Sequence, residues 1–258
     1  MGRVLVVTTT MYQNIEEVRF KLACEFVRQA IEKGYQVLII DNSPENIISD
    51  VLQAIGATVV DGKGRSFQEQ RRLAFELAAD EKKKQLISAI IWSEPEKVQI
   101  IKYIPEIIAP IITGQADVVI PSRSEKAWRS YPSFQQKTEK LINFTYCELT
   151  GILADPSFGP EAYSPDASQV FVDCFSKNYG QKLPSPYLQA IAPIEAFARG
   201  LRVSAVYIDF EYPPEQKTEE EGPRFLEMVE KRLQQQEDQI RTFFAVAKKL
   251  GFIKSQLL

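Results

Sequence analysis

Ile90-Ile91-Trp92-Ser93-Glu94-Pro95-Glu96-Lys97 joins an apolar run to two carboxylates, and how it is read decides the fold. Residues 86–92 have the length and apolar density of a buried strand. The run stops at Glu94 and Glu96, spaced i, i+2, with Lys97 immediately after. In open α/β sheets the crevice outside the carboxyl ends of the strands is where ligands collect. A Glu-x-Glu pair there offers hard oxygen ligands to a divalent cation, which can in turn hold a diphosphate. The plain alternative is a helix start, where acidic residues favour the positive end of the dipole and Pro95 suits the first turn.

Working outward, strand and helix patterns alternate. Residues 4–8, 35–40, 58–60 and 117–121 read as further buried strands, the third of them short. Helical periodicity covers 15–33, where Val18, Leu22, Phe26 and Ala30 share a face and Gly34 ends the run. Ser43-Pro44 opens a helix to about residue 55. Ser66-x-x-Glu69 is a capping box for a helix to about residue 80. A Pro-interrupted helical region spans 96–113. Apolar strands separated by helices of this length imply a parallel sheet covered on both faces. Three loops then gather at one sheet edge: Thr8-Thr9-Thr10, Asp41-Asn42-Ser43 and the Glu94-Pro95-Glu96 segment.

The second half is less regular. Helices are expected over 134–150 and 185–199, a strand over 202–209, and a long or broken helix over 223–250. The acidic, Pro-containing stretch 211–222 reads as a mobile loop, with Glu219, Glu220 and Glu221 as a solvated charge run.

Composition limits the chemistry. At 258 residues the chain suits one α/β domain, or one with a small appendage. A net charge of -3 gives no basic field for nucleic acid. With no histidine, Ser-His-Asp and Cys-His nucleophiles and His-ligated zinc are excluded. Acid–base work falls to Asp, Glu, Lys, Tyr or Cys, and a metal would be oxygen-ligated Mg²⁺ or Mn²⁺. Cys24, Cys147 and Cys174 form no CxxC pair and fit small buried hydrophobes in a reducing cytoplasm. No signal peptide and no membrane span are expected, since no apolar run approaches the ~20 residues a bilayer requires.

Several residues could carry chemistry. Lys63 and Arg65 flank glycines before a helix start, with Arg71 and Arg72 beyond; the pattern suits an anion, or a solvated turn. It is neither a Walker loop nor GxGxxG. Arg123 ends a strand, where it could meet a phosphate or carboxylate, or pair with a neighbour. Trp128, Arg129 and Tyr131 could grip sugars or anions, or form a partner surface. Asp155, in the loop Asp155-Pro156-Ser157-Phe158-Gly159-Pro160, is a candidate base and equally a turn residue. Glu195 is a second, helical candidate.

In order and spacing these segments resemble the GT-A nucleotide-sugar glycosyltransferases, especially the family-2-like enzymes. Val6 to Asn14 resembles their first strand and nucleotide loop, which implies donor contacts for Thr8, Thr9 and Thr10. Val37-Leu38-Ile39-Ile40-Asp41-Asn42-Ser43 resembles the second strand, implying a base or ribose contact for Asp41 and a place beside it for Asn42. Gly62-Lys63-Gly64-Arg65, with Arg71, is similar to the family's glycine loop and basic helix beside the diphosphate. Glu94-Pro95-Glu96 stands where the family has its DxD metal motif. Gly114-Gln115-Ala116-Asp117-Val118-Val119-Ile120-Pro121-Ser122-Arg123 is similar to the family's G-x-A-D-V-V-x-G-S-R segment, the most specific match.

The resemblance covers residues 3–210. It implies a Rossmann-like, mixed and mostly parallel sheet flanked by helices, with a C-terminal helical extension. The expected division is a catalytic domain over 1–222, its nucleotide-sugar half 1–123 and its acceptor half 124–222, followed by an extension over 223–258. The implied activity is transfer of a sugar from a nucleoside-diphosphate sugar to a small polar hydroxyl acceptor. Glu94 and Glu96 would hold Mg²⁺ or Mn²⁺, Asp155 would act as base, and Arg123, Arg129 and Tyr131 would meet an anionic acceptor. Replacement of both Asp residues of DxD by Glu leaves metal dependence open, with Lys97 a partial substitute for a cation. A nucleotidyltransferase and a non-catalytic nucleotide-sugar-binding protein of the same fold are the alternatives, and a homo-oligomer is left open.

Overall fold

A computed structural model describes residues 3–84, 87–174, 183 and 188–251. Along the chain run β1 (Arg3–Thr10), α1 (Val18–Glu32), β2 (Gln36–Asp41), α2 (Asn46–Ile55), β3 (Thr58–Asp61), α3 (Phe67–Lys84) and β4 (Ile87–Trp92). Then come α4 (Ile100–Ile112), β5 (Val118–Arg123), α5 (Glu125–Ser130), α6 (Ser133–Thr150), a 3-10 turn (Pro156–Phe158), β6 (Glu161–Tyr163) and α7 (Gln169–Asp173). The described chain ends with α8 (Leu188–Ala198), β7 (Val203–Ile208), α9 (Pro214–Glu221) and α10 (Phe225–Lys249).

Two compact units result. The first comprises Met1–Val119 and Pro160–Asp173, the second Ile120–Gly159 and Cys174–Leu258. In the first unit the strand order is β3-β2-β1-β4-β6-β5. β1 is parallel to β2 and β4, and β2 is parallel to β3. β6 is antiparallel to both its neighbours, which makes the sheet mixed but mostly parallel. Val4 to Val7, Ile39, Ile40, Ile90 and Ile91 are at most 3% exposed, as strands covered on both faces must be. Fully burying one such side chain contributes ~1.5–3 kcal/mol. The chain winds outward from β1 to β3, then returns through α3 to β4 beside β1. This reversal creates a switch point between the carboxyl ends of β1 and β4.

Local signals explain much of this. Gly34, at φ 77, lets Tyr35 N–H reach back to Ala30 O at 3.0 Å and stop α1. The Ser66–Glu69 capping box forms as read, Ser66 N–H donating to Glu69 Oε2 at 2.8 Å. Gly62 is required where β3 leaves the sheet, because a Cβ there would stand 2.8 Å from Ile40 Cγ2 and 3.0 Å from Asp41 O.

In the second unit β5 continues and lies next to β7, with Ser124 N–H donating to Ile208 O at 3.0 Å. α10 packs on α6 and α8 through Phe243, Val246 and Ala247, so the expected C-terminal extension is bound into this unit. One expectation is corrected, and two elements appear that were not expected. The 211–222 stretch is not a loop: Pro213-Pro214 starts α9, since proline at a first turn loses no needed N–H, and Glu220 is buried instead of solvated. Ser124 caps a short helix, α5, in the aromatic segment, accepting from Ala127 N–H at 3.1 Å. β6, three residues long, carries no periodic signal and was not anticipated.

Among the described residues no helix is long and apolar enough to cross a membrane. None of the three cysteines forms a disulfide among the described residues.

Candidate functional site

The loops after β1 and β4 meet at the switch point of the first unit. Tyr12, 1% exposed, donates its hydroxyl to Glu96 Oε1 at 3.2 Å. Arg19 from α1 reaches the same oxygen at 2.6 Å, and its guanidinium lies 5.5 Å from the Tyr12 ring. Glu94 pairs through Oε2 with Lys97 Nζ at 2.7 Å, while Lys97 N–H closes the turn onto Glu94 O at 3.0 Å. Burial opposes charge on Glu94, but Lys97 and then Arg71 outweigh it and hold the carboxyl below its ordinary range. Both carboxylates are ion-paired and partly exposed, at 30% for Glu94 and 22% for Glu96.

Beside them lies a group the sequence reading did not single out. Glu161 opens β6 directly opposite Trp92 and is fully buried. Burial pushes its carboxyl well above the usual carboxylate range, the Glu94 charge adding to this against Tyr163 and Arg71. Its Oε2 accepts a short hydrogen bond from Tyr163 OH, while Oε1 has no partner. Arg71 is sandwiched between the rings of Phe67 at 3.8 Å and Trp92 at 4.5 Å, and is 1% exposed. It is a buried positive charge behind Glu94 and not an exposed side chain.

The remaining donor candidates divide. Asp41 accepts from Thr10 Oγ1 at 2.8 Å, Ser43 Oγ at 2.6 Å and Ser49 Oγ at 2.5 Å. Only 2% exposed, it ties the β1 and β2 loops together. Thr8 and Thr10 are buried, and Thr9 is half-buried beside them. Asn42 is half-buried and Lys63 and Arg65 are exposed. Lys63 Nζ rests on Asn46 Oδ1 at 2.8 Å, and Arg65 Nη1 on Asp61 O at 3.0 Å.

The second unit holds a different constellation. Arg123, 2% exposed, donates through Nε to Asp155 Oδ2 at 2.6 Å and through Nη2 to Asp155 Oδ1 at 2.8 Å. Its Nη1 meets Glu139 Oε2 at 2.6 Å, and the guanidinium stacks on Trp128 at 3.6 Å and Tyr131 at 4.5 Å. Asn143 and Ser157 also donate to Asp155 Oδ1, at 2.7 and 2.8 Å. Burial opposes the Asp155 charge, yet Arg123 and these donors hold its carboxyl below the ordinary range. A buried, saturated, weakly basic carboxylate has no room for a hydroxyl proton, so the expectation of Asp155 as base is replaced by a structural ion pair. The same holds for Arg123 as acceptor ligand, since its nitrogens are committed, and for Tyr131, 3% exposed beneath it. Arg129 is exposed on α5 and is not joined to that pair. Glu195 of α8 ion-pairs at 3.4 Å with Arg199, just past the end of that helix.

The mixed, mostly parallel sheet flanked by helices, with its switch point between β1 and β4, has the architecture of the GT-A-type fold. Among solved structures the chain is similar to glucosyl-3-phosphoglycerate synthase of Mycobacterium tuberculosis, at 14% identity and TM-score 0.55, covering 98% of this chain and 82% of that one. A complex of that synthase with Mn²⁺, UDP and glucosyl-3-phosphoglycerate matches with TM-score 0.51 at 14% identity over the same shares. A structure described only as a mycobacterial protein matches at 13% identity and TM-score 0.54, covering 98% of this chain and 76% of that one. At this level of identity the likeness establishes the fold. No family model matches the chain, and no curated protein matches it by sequence.

Proposed function

We propose that this chain is a glycosyltransferase that takes a sugar from a nucleoside-diphosphate donor to a small hydroxyl acceptor bearing an anion. The observation that carries the reading is the ion-paired carboxylates of Glu94 and Glu96, with Lys97, at the carboxyl end of β4 where the sheet reverses. The UDP and glucosyl-3-phosphoglycerate held by the similar synthase support this donor class and a phosphorylated acceptor.

The donor set fits a divalent cation. Two carboxylates supply hard oxygens, and their ion pairs leave Oε1 of Glu94 and Oε2 of Glu96 outside those contacts. Among the described residues no group of three or more acidic, cysteine or histidine ligands exists. Two hard carboxylates alone suit Mg²⁺ or Mn²⁺, which takes one or two carboxylates and completes its shell with phosphate oxygens and water. Such an ion supplies charge stabilisation to the departing diphosphate. Glu94 and Glu96 would hold it. Arg71 adds positive field from behind, Tyr12 and Arg19 fix the orientation of Glu96, and Lys63 and Arg65 are the exposed cations for the donor's phosphates. Arg129 is the exposed cation kept for the acceptor, and no general base is assigned. A reducing cytoplasm suits three cysteines that form no disulfide among the described residues.

Calorimetry against UDP-, GDP- and ADP-sugars, with and without Mn²⁺, tests the reading. Binding of a nucleotide sugar that is lost in Glu94→Ala/Glu96→Ala supports it. Indifference to every nucleotide counts against it, and a preference for nucleoside triphosphates would favour a nucleotidyltransferase.

A further inference from the structure

Helix α10 carries a second apolar stripe besides the face that holds it in place. Met228, Phe243, Val246 and Ala247 are buried where the helix packs on α6 and α8. Next to that face run Leu226, Val229, Leu233, Ile240 and Phe244, with Gln236 as the one polar member of the row. Steps of three or four residues put them on one side of the helix, the spacing of a coiled-coil seam. Leu226 is 75% exposed, Leu233 49% and Phe244 47%, while Val229 and Ile240 are half-buried. From Leu226 to Phe244 the stripe is ~27 Å long. A contiguous apolar strip of that length facing water marks an interaction surface.

The charges along α10 identify what covers the stripe. The first half of the helix has Glu227, Glu230, Glu237 and Asp238 against Lys231 and Arg232; the second half has Arg241, Lys248 and Lys249 and no acid. Turned end for end, the helix is its own electrostatic complement. We propose that two copies of the chain pair their α10 helices antiparallel about a two-fold axis, burying the Leu226–Phe244 stripe in a homodimer interface. Val229 then lies opposite Ile240 and Leu226 beside Phe244, and Arg241 comes within a turn of Glu227 and Glu230 of the other copy. Each such contact occurs twice, because the interface is isologous. Within its own chain Arg241 meets Glu237 at 2.6 Å with side chains 68% and 51% exposed, a surface pair that is cheaply exchanged. A cleft lined by Pro132, Phe134, Phe225, Met228 and Val229 adjoins the acidic end of the stripe and offers a seat for the Phe244 ring. An anionic lipid surface fits worse, since it would repel the acidic half of the helix. The dimer is independent of the sugar-transfer reading.

The test is sedimentation velocity of the full chain over about 1–100 µM, the range in which a modest interface titrates. The wild type should pass from the 29.3 kDa monomer to twice that mass. Leu233→Glu/Phe244→Glu, at positions about half exposed, should stay monomeric throughout, with circular dichroism melts showing that it folds. Glu230→Lys and Arg241→Glu, each alone, should weaken association about five- to tenfold. The two combined recreate the opposite-charge contact between copies and should regain most of the wild-type affinity. A monomer at every concentration, a dimer that Leu233→Glu/Phe244→Glu leaves intact, or a charge swap that restores nothing overturns the proposal. Wild-type monomers that co-sediment with phosphatidylglycerol vesicles, when the apolar double variant does not, would assign the stripe to a lipid surface and overturn it equally.

Discussion

Replacing Arg123 by Met should be among the most destabilising single changes in the second unit. The side chain is 1% exposed and makes a two-pronged contact with Asp155 and a third contact with Glu139. Removing the cation leaves two buried carboxylates facing each other's field. Breaking a buried ion pair by deleting one partner costs about 3–5 kcal/mol, and the lost stacking on Trp128 adds to this. With a urea slope of ~3 kcal/mol per M, the unfolding midpoint should fall by ~1–2 M.

The pH dependence carries a sign. In the wild type Asp155 is held below its unfolded value, so its stabilisation is full above that value and is lost as pH falls through the folded one. In Arg123→Met the Asn143 and Ser157 donors remain but the cation is gone, so Asp155 moves upward from its wild-type position and takes up its proton at higher pH, which relieves the unpaired burial as pH falls. The gap between the two proteins should therefore narrow from pH 7 to 4.5. Urea midpoints at both pH values, with a double-mutant cycle against Asp155→Asn, measure this. A coupling energy below about 0.5 kcal/mol, or a gap that widens in acid, would refute the reasoning.

Other outcomes follow from single contacts. Gly62→Ala should cost ~1–3 kcal/mol in thermal unfolding, because its Cβ would meet Ile40 and the Asp41 carbonyl; an unchanged melting temperature would contradict the packing. Ser66→Ala removes the cap of α3 and should cost ~0.5–2 kcal/mol by the same assay. Glu161 is raised by burial, so what stability it gives holds below its unfolded value and drains away as pH climbs through the folded one. Glu161→Gln, which cannot ionise, should gain on the wild type as pH rises above the ordinary carboxylate range in paired melts, and parallel curves would count against a buried neutral acid.

The parallel half of the fold was legible because β1, β2, β4 and β5 are apolar runs long enough to stand out, each followed by a helix with a recognisable start or stop. β6 escaped because Glu161-Ala162-Tyr163 is too short for a period and holds a charge-type residue in the core. α9 escaped because its composition is that of a loop and only its Pro-Pro start hints otherwise. Glu94 and Glu96 stood out at a strand end beside two converging loops, yet the partners that hold them, Tyr12 and Arg19, lie about 80 residues away in the sequence.

Arg123 shows why polar residues mislead. A strand-end arginine looks available for ligands, and nearby aromatics look like a sugar platform. Here Trp128 and Tyr131 stack on that arginine, and Asp155 and Glu139, 32 and 16 residues away, neutralise it. Burial of a charge depends on partners that sequence distance does not reveal.

Calorimetry of UDP-glucose with Mn²⁺, on the wild type and on Glu94→Gln/Glu96→Gln, bears most directly on the donor site. The proposed function predicts saturable binding by the wild type and loss of at least tenfold in affinity in the double variant, with the melt of the unliganded proteins little changed. Equal binding by both proteins would place the diphosphate away from the β4 loop and contradict the account.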